Sequence, residues 1–125
     1  MTTALVVAFL LVHGLVHFAV WLPHPDPGPG ESAPFAPDHS AVLTMTSVPQ
    51  TTARKLSTSL AVAAGVGFVL TGLAVAVDVA WAVPVAVVAS LLGLGLKALF
   101  FNPWLLIGIA LDLGVLVGAL TWPWT

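Results

Sequence analysis

His13 and His17 sit four residues apart inside "LLVHGLVHFAV", residues 10–20. On a helix this spacing puts both imidazoles on one face, one turn apart. A pair spaced in this way can ligate one transition metal from a single helix, pass protons, or hydrogen-bond across to a neighbouring helix. Asp112, in "LLIGIALDLGVLV", and Lys97, in "GLGLKALF", are the other ionisable residues set in apolar surroundings. For a metal, His13, His17 and Asp112 would supply three ligands, and His39 a fourth if its loop folds over them. That donor set suits zinc, iron or copper better than magnesium. Haem is less natural, because two histidines on one face cannot ligate opposite sides of one iron. Without a metal, the same residues form an intramembrane polar cluster of His13, His17, Lys97 and Asp112. In it Asp112 pairs with Lys97 or accepts an imidazole N–H from His13.

The elements that must position these groups follow from composition. The chain has 125 residues, 59% hydrophobic and 6% charged, with a mean hydropathy of +1.10. Soluble domains carry about 25% charged residues, so most of this surface must face lipid. Four apolar stretches, about 3–22, 56–77, 82–101 and 104–122, each approach the ~20 residues a helix needs to cross a bilayer. Open strands cannot satisfy their backbone in lipid, and the runs do not alternate as barrel strands would. The expected fold is all-α: one membrane domain over residues 1–125, a four-helix bundle running up-down-up-down. A polar, Pro-rich loop over 23–55 joins the first two helices. The first stretch lacks a basic leading region and holds histidines in its apolar core, so it is expected to be a retained span, not a cleaved signal.

Prolines mark the joints. "WLPHPDPGPG" stops the first helix, Pro84 falls in the first turn of the third, and Pro103 opens the fourth. Trp21 and Trp104 fall at one interface, Trp81 and Trp122 at the other, where tryptophans anchor spans. Counting ~1.5 Å per residue from these joints, His13 lies ~15 Å deep, Asp112 ~13 Å and Lys97 ~9 Å, all from the same side. An ionisable group at such depth costs about 2.5–3.5 kcal/mol on insertion scales. It therefore turns inward to find partners. Lys97 is near enough to the interface to snorkel instead. Asp78 belongs to the opposite hairpin and is expected in solvent. Ala61 with Gly65, Ser90 with Gly93, and Gly114 with Gly118 are expected to allow close helix approach.

Several functions are excluded or disfavoured. The chain holds three basic residues, Arg54, Lys55 and Lys97, and a formal net charge of −2, so it has no footprint for nucleic acid. Without cysteine it has neither disulfides nor thiolate ligands. No nucleophile elbow, phosphate-binding loop or dinucleotide fingerprint occurs, and an enzyme is not the favoured expectation. The basic residues cluster by the first loop and the third joint, so charge bias puts these in the cytoplasm of a multi-pass plasma (inner) membrane protein.

The stretches "HGLVH" (13–17), "PFAPDHS" (34–40), "ARKLSTSLAVAAGVGFVLTGLAV" (53–75) and "FNPWLLIGIALDLGVLV" (101–117) resemble a group of small four-helix membrane proteins of actinobacterial type. They cover more than half the chain, in the group's order. The group often has an aromatic after the loop's "HS", where this chain has Ala41. The resemblance implies a four-helix fold and sets Asp38 and His39 beside the intramembrane cluster. It implies no activity. A looser likeness to DoxX-type proteins rests on architecture alone. The function expected first is an accessory or structural subunit of a membrane complex, with the lipid bilayer and a second copy or larger assembly as partners. The alternatives are a metal-binding membrane protein using His13, His17 and Asp112, or a component of a proton-coupled transporter.

Overall fold

The computed structural model describes residues 1–22, 29–30 and 39–121. Trp122, Asp38 and most of the Pro-rich loop lie outside the described residues. Within them the elements are α1 (Thr2–Trp21), α2 (Ala41–Met45), α3 (Gln50–Ala76), α4 (Ala82–Leu99), a 3-10 turn η1 (Pro103–Leu105) and α5 (Leu106–Thr121). Four spans are long and apolar enough to cross a membrane: α1, α3, α4, and η1 with α5. The molecule is an all-helical, multi-pass membrane bundle.

The helix ends have local causes. Asn102 accepts a hydrogen bond from the Trp104 N–H on its side chain (3.1 Å), which caps the turn that Pro103 opens. Asp78, exposed in the α3–α4 hairpin, adopts a left-handed φ of 54°, a conformation that short polar side chains tolerate. Ser40 caps α2 by accepting from the Leu43 N–H (3.2 Å). Its hydroxyl also donates to the Leu99 carbonyl at the end of α4, which ties the end of the long loop to the bundle.

Two boundaries differ from the sequence expectation. The loop expected over 23–55 holds the short helix α2, and α3 begins at Gln50, six residues early. "QTTARK" contains no helix breaker after Pro49, so the helix continues into the polar region. At 27 residues, α3 is ~40 Å long, longer than the ~30 Å of hydrocarbon. Hydropathy marks the part in lipid, and the helix itself runs further.

Each span packs on its neighbour in sequence: α1 on α3, α3 on α4, and α4 on α5. The α1–α3 crossing is close because Gly14 faces Gly65. A Cβ on Gly14 would lie 2.7 Å from the Gly65 carbonyl oxygen. Gly67 similarly meets Ala89 where α3 crosses α4. Gly114 does not fit the expected packing role: it is exposed, with nothing within 4 Å of its Cβ position. One apolar cluster, around Leu10, Phe68, Ala86 and Val115, fills the hairpin side. A second, around Trp21, Ala61, Leu96 and Phe100, fills the loop side. Trp21 belongs to this core, edge-on to Phe100 at 6.2 Å, whereas Trp81 and Trp104 are exposed. Of these three tryptophans, only the last two face outward as interfacial anchors do.

Candidate functional site

Between the two apolar clusters lies the one concentration of buried charge among the described residues. His13, His17, Lys97 and Asp112 are all buried, with Asp112 fully enclosed. α1 supplies both imidazoles, α4 the lysine and α5 the carboxylate. Asp112 accepts on both oxygens: Oδ1 from His13 Nε2 (2.7 Å) and Oδ2 from Lys97 Nζ (2.6 Å). Lys97 Nζ also lies 3.0 Å from His17 Nε2. The circuit closes where His17 Nδ1 meets the His13 backbone carbonyl at 3.0 Å.

Hydrogen-bond chemistry orients each member. A carbonyl only accepts, so His17 carries its proton on Nδ1 and offers the Nε2 lone pair to the lysine ammonium. The ionised Asp112 carboxylate only accepts, so His13 carries its proton on Nε2. The network then holds one cation and one anion, which compensate in a medium where a lone charge is costly. Asp112 thus bonds His13 and Lys97 at once, where the sequence offered these partners as alternatives.

Residues that the sequence did not single out build the cradle. Phe68 of α3, fully buried, meets the His13 ring edge-on at 4.6 Å and the His17 ring at 5.3 Å. It holds both imidazoles against α5 and α4. Phe9 stacks on His13 from the other side at 5.5 Å. Gly93 has no side chain because the Asp112 carboxylate occupies that place, and a Cβ there would collide with Oδ2. Gly108 does the same for the lysine stem, with Lys97 Cε 2.7 Å from its Cβ position. Gly93 was expected to serve helix packing, and its neighbour proves to be the carboxylate. Each glycine lies near a charged residue of the facing helix, a signal that needs the helix pairing to be known.

One ligand atom from each of His13, His17 and Asp112 lies within 4.8 Å of the others, as a metal would require. His39 is exposed and is not one of the three. In this arrangement the Lys97 ammonium sits between Asp112 and His17 and uses the lone pairs a metal would need. A cleft of about 170 Å3 separates α1 from α5 beside the network. Val16, Ile107 and Leu111 wall it, and His13, His17 and Lys97 form its polar side.

No protein family, curated protein or solved structure matches this chain.

Proposed function

We propose that this membrane protein carries protons as a component of a coupled transporter, with His13, Asp112, Lys97 and His17 as the carrying groups. The observation behind this reading is the unbroken hydrogen-bonded chain across α1, α4 and α5, bordered by the α1–α5 cleft. Imidazole and carboxylate groups linked in this way exchange protons without leaving their places, and such groups inside membranes are the usual parts of proton relays. The cleft reaches His13, His17 and Lys97, and Trp21 and Leu105 of the loop-side cluster also line it.

The protein sits in the plasma (inner) membrane, with the first loop and the α4–α5 joint on the cytoplasmic side. Because Lys97 is paired inside the bundle, this orientation rests on Arg54 and Lys55 at the start of α3. The test is proton flux in liposomes carrying a pH gradient. Wild type should conduct, and Asp112→Asn should fall to the level of protein-free liposomes. Equal flux in both would end the proposal.

A second reading is an accessory subunit of a membrane complex or homo-oligomer. It draws on the uncovered outer faces of α1 and α5, where Leu5, Val12, Leu106 and Ile107 are exposed. Co-purification from native membranes under mild detergent would test it, and a chain that always isolates alone would remove it.

A further inference from the structure

The close packing of the spans runs α1 on α3, α3 on α4 and α4 on α5. The seam between the first and last spans is bridged by the His13–Asp112 bond, and it holds the cleft of about 170 Å3. Val16, Trp104, Ile107 and Leu111 wall this cleft, and all four are exposed on the bundle surface. In a membrane those faces meet acyl chains, so the cleft opens sideways into lipid. Its polar side is His13, His17 and Lys97, each no more than 5% exposed. An occupant therefore arrives from the bilayer, with one apolar end and one polar end.

Hydrogen-bond accounting defines the polar end. Lys97 Nζ has three N–H donors. Asp112 Oδ2 and His17 Nε2 take two of them, and the third has no acceptor among the described residues. His13 donates through Nε2 to Asp112, so its Nδ1 keeps a lone pair, and none of the described residues donates to it. Nδ1 is not sealed in the core, because the Ser90 oxygen is the one fully enclosed side-chain oxygen or nitrogen without a partner among the described residues. The polar side of the cleft thus offers one cationic donor and one acceptor. An ester or ketone answers only the donor. A carboxylic acid answers both, with its C=O for the ammonium and its O–H for the imidazole. The acid proton can then pass to Nδ1: the O–H bond breaks, the N–H bond forms, and a carboxylate faces Lys97 while an imidazolium faces Asp112. The sum of charges is unchanged, which suits a site in lipid, and the new contacts are charge-assisted.

We propose that the α1–α5 cleft binds the carboxyl end of a long-chain fatty acid taken from the bilayer, with Lys97 and His13 as its head-group contacts and the tail leaving between α1 and α5. A volume of about 170 Å3 is the room of roughly six waters at ~30 Å3 each. That is enough for a carboxyl group and the first methylenes, and too little for a phospholipid head group. Depth agrees, since Lys97 lies ~9 Å below the α4–α5 joint, whereas phospholipid head groups stay outside the hydrocarbon. The cleft also borders the proposed proton path, but the inference needs only its shape and its open donor and acceptor.

The test is photolabelling of the full chain in phosphatidylcholine vesicles with palmitic acid that carries a diazirine on its tail. Labelling should saturate, and peptide mapping should place it on α1 and α5. Plain palmitic acid should compete at least about tenfold better than methyl palmitate, which lacks the O–H, or than phosphatidylglycerol. Val16→Trp and Leu111→Trp fill the cleft from its two walls and leave the network intact. Both should fold and lose the saturable labelling. The double variant Lys97→Met/Asp112→Asn, which keeps most of its stability because no charge is stranded, should lose the preference for the acid over the ester. Labelling that does not saturate, that spreads over all four spans, or that methyl palmitate or phosphatidylglycerol blocks as well as the acid does, overturns the inference. So does wild-type labelling in both tryptophan variants. Vesicles that bind palmitic acid but carry no proton flux would remove the proposed function and leave this site standing.

Discussion

Asp112 is the residue on which the site turns, because both of its oxygens are committed to partners on other helices. Removing one member of a buried ion pair strands the other, at a cost of about 3–5 kcal/mol, whereas replacing both can be neutral. Asp112→Asn and Lys97→Met should therefore each lower the unfolding midpoint in detergent strongly. The double variant Lys97→Met/Asp112→Asn should recover most of the loss. Losses that simply add would show that the pair does not act as a unit. The lysine also decides what the site binds. Its ammonium uses the Asp112 and His17 lone pairs, so wild type should take up no zinc. Lys97→Ala frees those atoms beside His13 and should bind a single zinc per chain by elemental analysis. Zinc uptake by wild type would show that the ammonium yields to the metal. The four polar residues were legible in the sequence because charge inside an apolar run is costly and depth follows from the helical rise. Phe68, Gly93 and Gly108 were not, because they are ordinary membrane-helix residues until a facing helix is placed against them.

At the scale of the elements, the glycines divide into two kinds. Gly14 brings α1 within reach of the α3 backbone, and its Cβ would meet main-chain atoms of Gly65 and Val69 at 2.7 and 3.1 Å. Main chain cannot turn aside, so Gly14→Ala should cost about 1–3 kcal/mol through overpacking. Gly114 has open space around it. Gly114→Ala should be neutral or stabilising by up to about 1 kcal/mol, since alanine loses less entropy in a helix. Thermal unfolding of the two variants in the same detergent compares them directly, and an equal effect would contradict the α1–α3 crossing. The sequence grouped Gly114 with the packing glycines because small-residue spacing looks alike on either face. It placed Trp21 with the outward anchors because depth along the helix is readable and the direction of the side chain is not.

Across the whole molecule, four antiparallel spans put α2 and the α4–α5 joint on one side of the membrane and the α3–α4 hairpin on the other. The chain has no cysteine, so single cysteines report sidedness cleanly. Met45→Cys and Phe101→Cys, both exposed, should react with an impermeant maleimide from one side of oriented vesicles, and Asp78→Cys from the other. Labelling of all three from one side would refute the topology. The number of membrane-spanning helices and the proline that opens the last of them were legible in the sequence alone, whereas the start of α3 was not. Hydrophobic length, proline and the cost of buried charge act locally, and each can be counted along the chain. Only the tertiary structure decided which way each face turns. In lipid the inside and the outside of a bundle are both apolar, so hydrophobic periodicity does not mark the inner face. His13 and His17 could be placed at their depth from the sequence. That they meet Asp112 and Lys97 in one closed circuit depends on α1, α4 and α5 being rotated toward one another, and side-chain packing alone sets that rotation.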